Sequence, residues 1–211
     1  MKFRLFAAAV VAAVLAFPVI SAEFKSGPQT GEMVPGPFHP VNVTGDHKGE
    51  KFCLFCVNGE NPVAMVFARE STPELTKLIK KLDAATVKNK DKSMGSFVVF
   101  LSDKDGLDKD LAKMAEKEKI GTTILSIDNP AGPKAYDVAK DAEVTVVLYV
   151  DRKVKANHAF KKGELTEKHI EKIISEVRPC CIGSPLTAQP NSRSPGSSNS
   201  SRLTTDRRAH V

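Results

Sequence analysis

Tryptophan is absent from the 211 residues, tyrosine occurs twice and cysteine four times. Four cysteines at this length are too few for a small secreted scaffold held together by disulfides in place of a core. There is no glycine-rich phosphate loop, no serine–histidine nucleophile pattern and no pair of carboxylates with positional support. The usual signatures of nucleotide binding and hydrolysis are therefore missing. No internal repeat is apparent, and the one apolar run of any length lies at the start of the chain. A concentrated positive charge is also missing, although the chain carries a formal +6. Lys2 and Arg4 place +2 in residues 1–22, and four arginines against Asp206 place +3 in residues 180–211. Residues 23–179 keep only +1. A near-neutral body excludes a basic nucleic-acid-binding domain as the leading reading.

What is present begins with an address. Met1-Lys2-Phe3-Arg4 leads into an apolar run from Leu5 to Phe17, followed by Val19-Ile20-Ser21-Ala22. A positive head, about a dozen apolar residues and a small residue at the end describe a secretory signal peptide over 1–22, cleaved after Ala22. The run is shorter than the roughly 20 apolar residues a spanning helix needs. The mature product is expected to be secreted or periplasmic, with no membrane span, in a compartment where paired cysteines stay oxidised.

The body alternates strand-like and helix-like stretches. Residues 23–34 read as a linker, within a Gly- and Pro-rich lead-in that runs to residue 62 and carries short β segments at Val41–Thr44 and Lys51–Val57. Pro62–Ala68 is a near-continuous apolar run of strand length, as in a strand buried on both faces. Ser71-Thr72-Pro73-Glu74 supplies a hydroxyl cap, a first-turn proline and an acid, ahead of Leu75, Leu78, Ile79 and Leu82 at helical spacing. Strands follow at Ser96–Leu101, Thr122–Ile127 and Val144–Val150. Helices are expected at Leu107–Lys119 and, shorter, at Pro133–Lys140. Val154–Phe160 pairs with Val144–Val150 as a hairpin, and Thr166–Val177 closes the body as a helix. This order predicts an α/β domain over 35–179, a central mixed sheet flanked by helices. Beyond Pro179 lysine and aromatics vanish and Ser, Pro, Asn and Arg dominate, so 180–211 reads as a disordered tail. Cys180-Cys181 at its edge is assigned no role.

Three passages resemble a known family. Asn61–Ala68 looks like the central strand that leads into an active-site helix. Ser126–Pro130 with Ala135–Val138 looks like the family's insert, and Val144–Val154 looks like its strand-turn-strand hairpin. Together they resemble the secreted thioredoxin-like redoxins, the branch holding AhpC/TSA-type peroxiredoxins and TlpA-like thioredoxins, over roughly residues 35–177. The resemblance implies a thioredoxin-like fold and a reactive cysteine directly after the central strand. It also implies a cis-proline facing that cysteine, immediately before Thr145. Here the stretch after the strand is Arg69–Leu75, without a cysteine, and the proline position is Val144. A serine hydroxyl does not replace a thiolate, so this pole is expected to have lost redox catalysis. Ser71, Thr72, Glu74, Val144 and Thr145 remain there as candidates to line a binding groove.

The remaining chemistry lies upstream, in Cys53-Leu54-Phe55-Cys56. A CxxC serves as a redox pair, as half of a metal site or as a local disulfide. An apolar strand-like setting would raise the thiol pKa, and a strict strand would aim the two side chains at opposite faces, so bridging them needs a bulge or tight turn. His39 and His47 are the nearest further ligands, at a spacing that fits no standard zinc module; no metal and no cofactor are assigned. Asn42-Val43-Thr44 fits an N-glycosylation acceptor. The reading taken is an extracytoplasmic thioredoxin-like protein whose Cys53 and Cys56 exchange with protein thiols and disulfides, a thiol–disulfide oxidoreductase where it acts as an enzyme. The alternative is a non-catalytic thioredoxin-like module that binds a protein partner or is purely structural, in which Cys53–Cys56 is a structural disulfide or, as the lesser option, a metal site.

Overall fold

The computed structural model describes residues 24–182, with side chains through 177. The expected leader 1–22 and, of the expected tail 180–211, residues 183–211 lie outside the described residues. Six strands form one mixed sheet: β1 (Val41–Asn42), β2 (Val63–Ala68), β3 (Gly95–Leu101), β4 (Ile124–Asp128), β5 (Val144–Val150) and β6 (Lys153–Phe160). Their order across the sheet is β1-β4-β3-β2-β5-β6. Strands β2, β3 and β4 run parallel, while β5 runs antiparallel to β2 and β6 antiparallel to β5.

Four helices accompany it: α1 (Leu54–Asn58), α2 (Pro73–Lys88), α3 (Leu107–Glu118) and α4 (Glu167–Ile182). The sequence dictates α2 clearly. Thr72 is its cap, its hydroxyl accepting the Leu75 amide at 3.2 Å, and Pro73 occupies the first turn where an amide would find no intrahelical partner. Helix α4 extends to Ile182, past the expected end at Val177.

Strand β2 is buried on both faces, and its period of two separates two cores. Ala64, Val66 and Ala68 pack with Leu75, Leu78, Ile79, Leu111, Ile170 and Ile173 beneath α2, α3 and α4. Val63, Met65 and Phe67 face the other way, with Phe97, Val99, Tyr136, Val147 and Tyr149. Among the described residues no long helix covers the second face. It is closed by the lead-in and α1: Val34, Phe38, Cys53, Leu54 and Phe55 belong to that core. Phe38 lies edge-on to Tyr136 at 4.8 Å between centroids, and the Tyr136 hydroxyl donates to the Gly36 carbonyl.

Four expectations change here. The stretch 24–34, expected as a linker, packs against the sheet: Ser26 is buried, its hydroxyl 2.7 Å from that of Thr145, and Asn157 Nδ2 donates to the carbonyls of Ser26 and Pro28. Lys51–Val57 is not a strand; Lys51 makes a single bridge to Val41 and helix α1 begins at Leu54. The expected helix Pro133–Lys140 contracts to a 3-10 turn, Lys134–Tyr136, ended by Asp137 in the left-handed region. The sequon Asn42-Val43-Thr44 is closed in the folded chain, because Asn42 is buried in β1 and its Oδ1 accepts from the Ser126 hydroxyl.

Candidate functional site

The two ends of β2 carry the two candidate sites, and its six residues separate them by roughly 20 Å. At the end where β2 stops, Ser71, Thr72 and Glu74 gather at the first turn of α2. Ser71 is exposed, its hydroxyl donating to Met114 Sδ at 3.2 Å, and it lines a groove of about 600 Å³ with Arg69, Glu70, Ser102, Lys104 and Asp110. The Thr72 hydroxyl is committed to the cap. Glu70 pairs with Lys162 at 3.0 Å. Arg69 holds the loop wall in place, its guanidinium donating to the carbonyls of Ala142, Pro130 and Ala139 at 2.9, 2.8 and 3.1 Å.

Val144 and Thr145 do not join this groove. They sit opposite Ala68 and Phe67 in the β2–β5 register, at 1% and 0% exposure. Thr145 is roofed by Ser26, and Gly27 approaches so closely that a Cβ there would stand 3.2 Å from Thr145 Cγ2. The sequence offered no signal for that lid, because the covering residues come from a Gly/Pro-rich stretch without periodicity.

At the opposite end, where β2 and β3 begin, Cys53 and Cys56 form a disulfide with Cα atoms 5.2 Å apart. A helical turn brings them together, which corrects the strand-like setting expected for the pair. Cys53 is the cap residue of α1, extended at φ −86° and ψ 91°, and the chain turns helical at Leu54. Positions i and i+3 then lie on one side of the turn, where a strand would have set them apart. Cys53 Sγ accepts the backbone N–H of Cys56 at 3.1 Å. The two residues differ in their exposure to solvent. Cys53 is 8% exposed and belongs to the second core, whereas Cys56 is exposed.

The residues around α1 fix its position. Asn58 Nδ2 donates back to the Leu54 carbonyl at 2.7 Å, and its side chain lies over Gly95 at the start of β3, in space a Cβ would take. The Asp151 amide donates to the Glu60 carbonyl at 2.9 Å, tying the turn after α1 to the β5–β6 hairpin. That hairpin closes in two residues, Asp151 and Arg152, both at positive φ, and the Arg152 guanidinium stands 5.4 Å over the Phe55 ring. Asn58, Gly95 and Arg152 carry no motif and were not legible in the sequence as parts of this site.

The histidines considered as metal ligands are occupied differently. The His47 ring stacks on Phe52 with centroids 3.6 Å apart and its Nδ1 lies 3.1 Å from Glu50, while His39 is exposed. Among the described residues no group of three or more His, Cys, Asp and Glu side chains gathers around a point where a metal ion would sit. No helix among the described residues is long and apolar enough to cross a membrane.

No protein-family model matches this chain, and no curated protein sequence matches it. Solved structures do. A protein from Bacteroides thetaiotaomicron, proposed to be a protein disulfide isomerase, is similar at 15% identity and TM-score 0.58, over 76% of this chain and 96% of that one. The peroxidoxin BcpB from Mycobacterium tuberculosis is similar at 19% identity and TM-score 0.52, over 71% and 96%. A secreted disulfide oxidoreductase from Mycobacterium tuberculosis, homologous to Escherichia coli DsbE, is similar at 10% identity and TM-score 0.51, over 67% and 94%. At these identities the likeness is one of fold, and it agrees with the sheet order and strand directions described above. The chain therefore has the thioredoxin-like fold of the redoxins, with no cysteine after its central strand and a CxxC disulfide at the strand's other end.

Proposed function

We propose that this protein exchanges disulfides with protein thiols through Cys53 and Cys56, outside the cytoplasm. One observation carries the reading: the CxxC disulfide sits in the first turn of a helix, with one cysteine open to solvent and the other accepting an amide hydrogen bond. Exchange needs an accessible sulfur to be attacked and a leaving thiolate that its surroundings tolerate. The pair offers both. The leader-like residues 1–22 and the oxidised pair are consistent with a compartment in which disulfides persist. The fold supports the theme without deciding it, because thioredoxin-like folds host both catalysts and binding modules.

A second reading rests on a specific observation of its own. Cys53, Leu54 and Phe55 are all buried in the second core, as expected of a structural staple that pins the lead-in to the sheet. The two readings separate in one experiment. The full chain is equilibrated in glutathione buffers of graded potential, quenched, and its thiols labelled and assigned by peptide mass spectrometry. Exchange predicts that Cys53 and Cys56 pass between dithiol and disulfide within the range of oxidoreductase couples, between about −120 and −270 mV. It also predicts insulin-disulfide reduction that is lost in Cys56→Ser. A pair that stays oxidised below about −300 mV, with no turnover, makes the disulfide a staple.

A further inference from the structure

The two sulfurs are not equivalent, and the difference gives each a role. We infer that Cys56 is the sulfur that exchanges with substrate and Cys53 the one that leaves and resolves. The second cysteine of the CxxC is then the outward-facing one. This inference rests on the exchange reading above and specifies its direction.

Access comes first. Thiol–disulfide exchange is an in-line displacement at sulfur, so the incoming thiolate must reach the sulfur it attacks from the side opposite the one that leaves. Cys53 is 8% exposed and packed in the core that holds Leu54, Phe55, Val63 and Met65, so approach to it is blocked by protein. Cys56 is exposed, as is Val57 beside it at 61%. A polypeptide thiol can reach Cys56 without any movement of the core.

Leaving ability points the same way. When a substrate thiolate RS⁻ attacks Cys56 Sγ, the Cys53–Cys56 bond breaks, RS–S–Cys56 forms and the electron pair stays on Cys53 as thiolate. That thiolate receives the Cys56 backbone N–H, already 3.1 Å from Cys53 Sγ, and a hydrogen bond to the charged form lowers the basicity of a leaving group. Attack at Cys53 would instead release Cys56 as thiolate. No hydrogen bond to Cys56 Sγ comparable with the one on Cys53 is seen among the described residues. In the second half of the cycle the substrate's other thiolate attacks the substrate sulfur of the mixed disulfide. Substrate disulfide forms, Cys56 leaves as thiolate, and Cys53 and Cys56 remain as the reduced pair. Two electrons pass from the substrate dithiol to the protein. Run backward, the reduced pair reduces a substrate disulfide, with Cys56 as nucleophile and Cys53 breaking the mixed disulfide.

The test needs no variant for its first arm. The reduced full chain is pulsed with iodoacetamide and the modified cysteines are mapped by mass spectrometry. Cys56 is expected to be modified first, at least about tenfold faster than Cys53, because reactivity follows access as well as thiolate content. In the second arm Cys53→Ser and Cys53→Ala, each with Cys56 intact, are mixed with oxidised glutathione and are expected to accumulate a mixed disulfide on Cys56. Cys56→Ser is expected to accumulate markedly less on Cys53. Faster alkylation of Cys53, or as much mixed disulfide on Cys53 in Cys56→Ser as on Cys56 in the Cys53 variants, overturns the assignment; wild-type turnover alongside it leaves the exchange reading standing. Equal rates at both sulfurs also overturn it. If neither cysteine forms a mixed disulfide and the wild type shows no turnover, the exchange reading fails together with the assignment.

Discussion

Arg69 shows how a single side chain at the vacated pole serves the fold. Its guanidinium satisfies three carbonyls of the 130–142 loop, which crosses beside the end of β2. The planar fork reaches all three at once, a geometry that a lysine ammonium on one flexible stem does not reproduce. Arg69→Met is expected to lower stability by about 2 to 3 kcal/mol, because hydrogen bonds from a charged donor are lost and partly buried carbonyls are left without it. Arg69→Lys is expected to recover less than half of that loss. Urea unfolding of the three proteins, compared at unchanged m-value, measures it, and a stability loss under about 0.5 kcal/mol in Arg69→Met would mean the loop carbonyls are solvated instead. Neither substitution is expected to change exchange at Cys56, since the site lies at the other end of β2.

Among the elements, α1 was the hardest to read from sequence and matters most to the site. Helix α2 was legible because its cap, its proline and four apolar residues at helical spacing all point to one answer. Strands β2, β3 and β5, buried in the sheet, were legible from their apolar runs rich in Val, Phe and Leu. Helix α1 has five residues, Leu54-Phe55-Cys56-Val57-Asn58, too few to display a period, and its aromatic and β-branched members favour strands locally. What makes it helical is tertiary: Leu54 and Phe55 enter the second core, Cys53 closes on Cys56, and Asn58 fastens the last turn over Gly95. The same reason hid the burial of Thr145, which depends on a lead-in that has no pattern of its own, whereas Val144 is buried on the other face, in the core beneath the helices.

Gly95 therefore acts on the site from the neighbouring strand. Gly95→Ala is expected to push the Asn58 side chain off its bond to the Leu54 carbonyl, at a cost of about 1 kcal/mol, and to loosen α1. Faster reduction of Cys53–Cys56 by dithiothreitol is the expected readout. Asn58→Ala removes both the bond and the clash, so adding Gly95→Ala to it is expected to cost less than Gly95→Ala alone. Strict additivity between the two substitutions would mean that Gly95 and Asn58 do not communicate.

For the molecule as a whole, the question is whether it needs its disulfide to stay folded. A pair that cycles must leave a folded protein in both states, whereas a staple need not. The structure has two cores on either side of a six-stranded sheet, and the larger one, beneath α2, α3 and α4, contains neither cysteine. The bond closes a loop of only four residues, and the entropy it removes from the unfolded chain corresponds to about 2 kcal/mol. At this chain length such a loss lowers Tm by roughly 4 to 8 °C. The reduced protein is thus expected to keep its far-UV dichroism and a single cooperative melt, displaced downward by that amount. Burial holds the Tyr136 and Tyr149 hydroxyls well above the usual phenol range, so both rings should stay un-ionised in the oxidised and the reduced protein when the pH is raised through 10. Phenolate absorbance at 295 nm reports this directly. Tyr136 and Tyr149 share the second core with Cys53, Leu54 and Phe55, so early ionisation on reduction would reveal that this core opens when the bond is cut. Loss of the cooperative melt together with early phenolate formation would make the disulfide a structural requirement. A protein that keeps both cores closed in either redox state has the freedom that exchange at Cys56 demands.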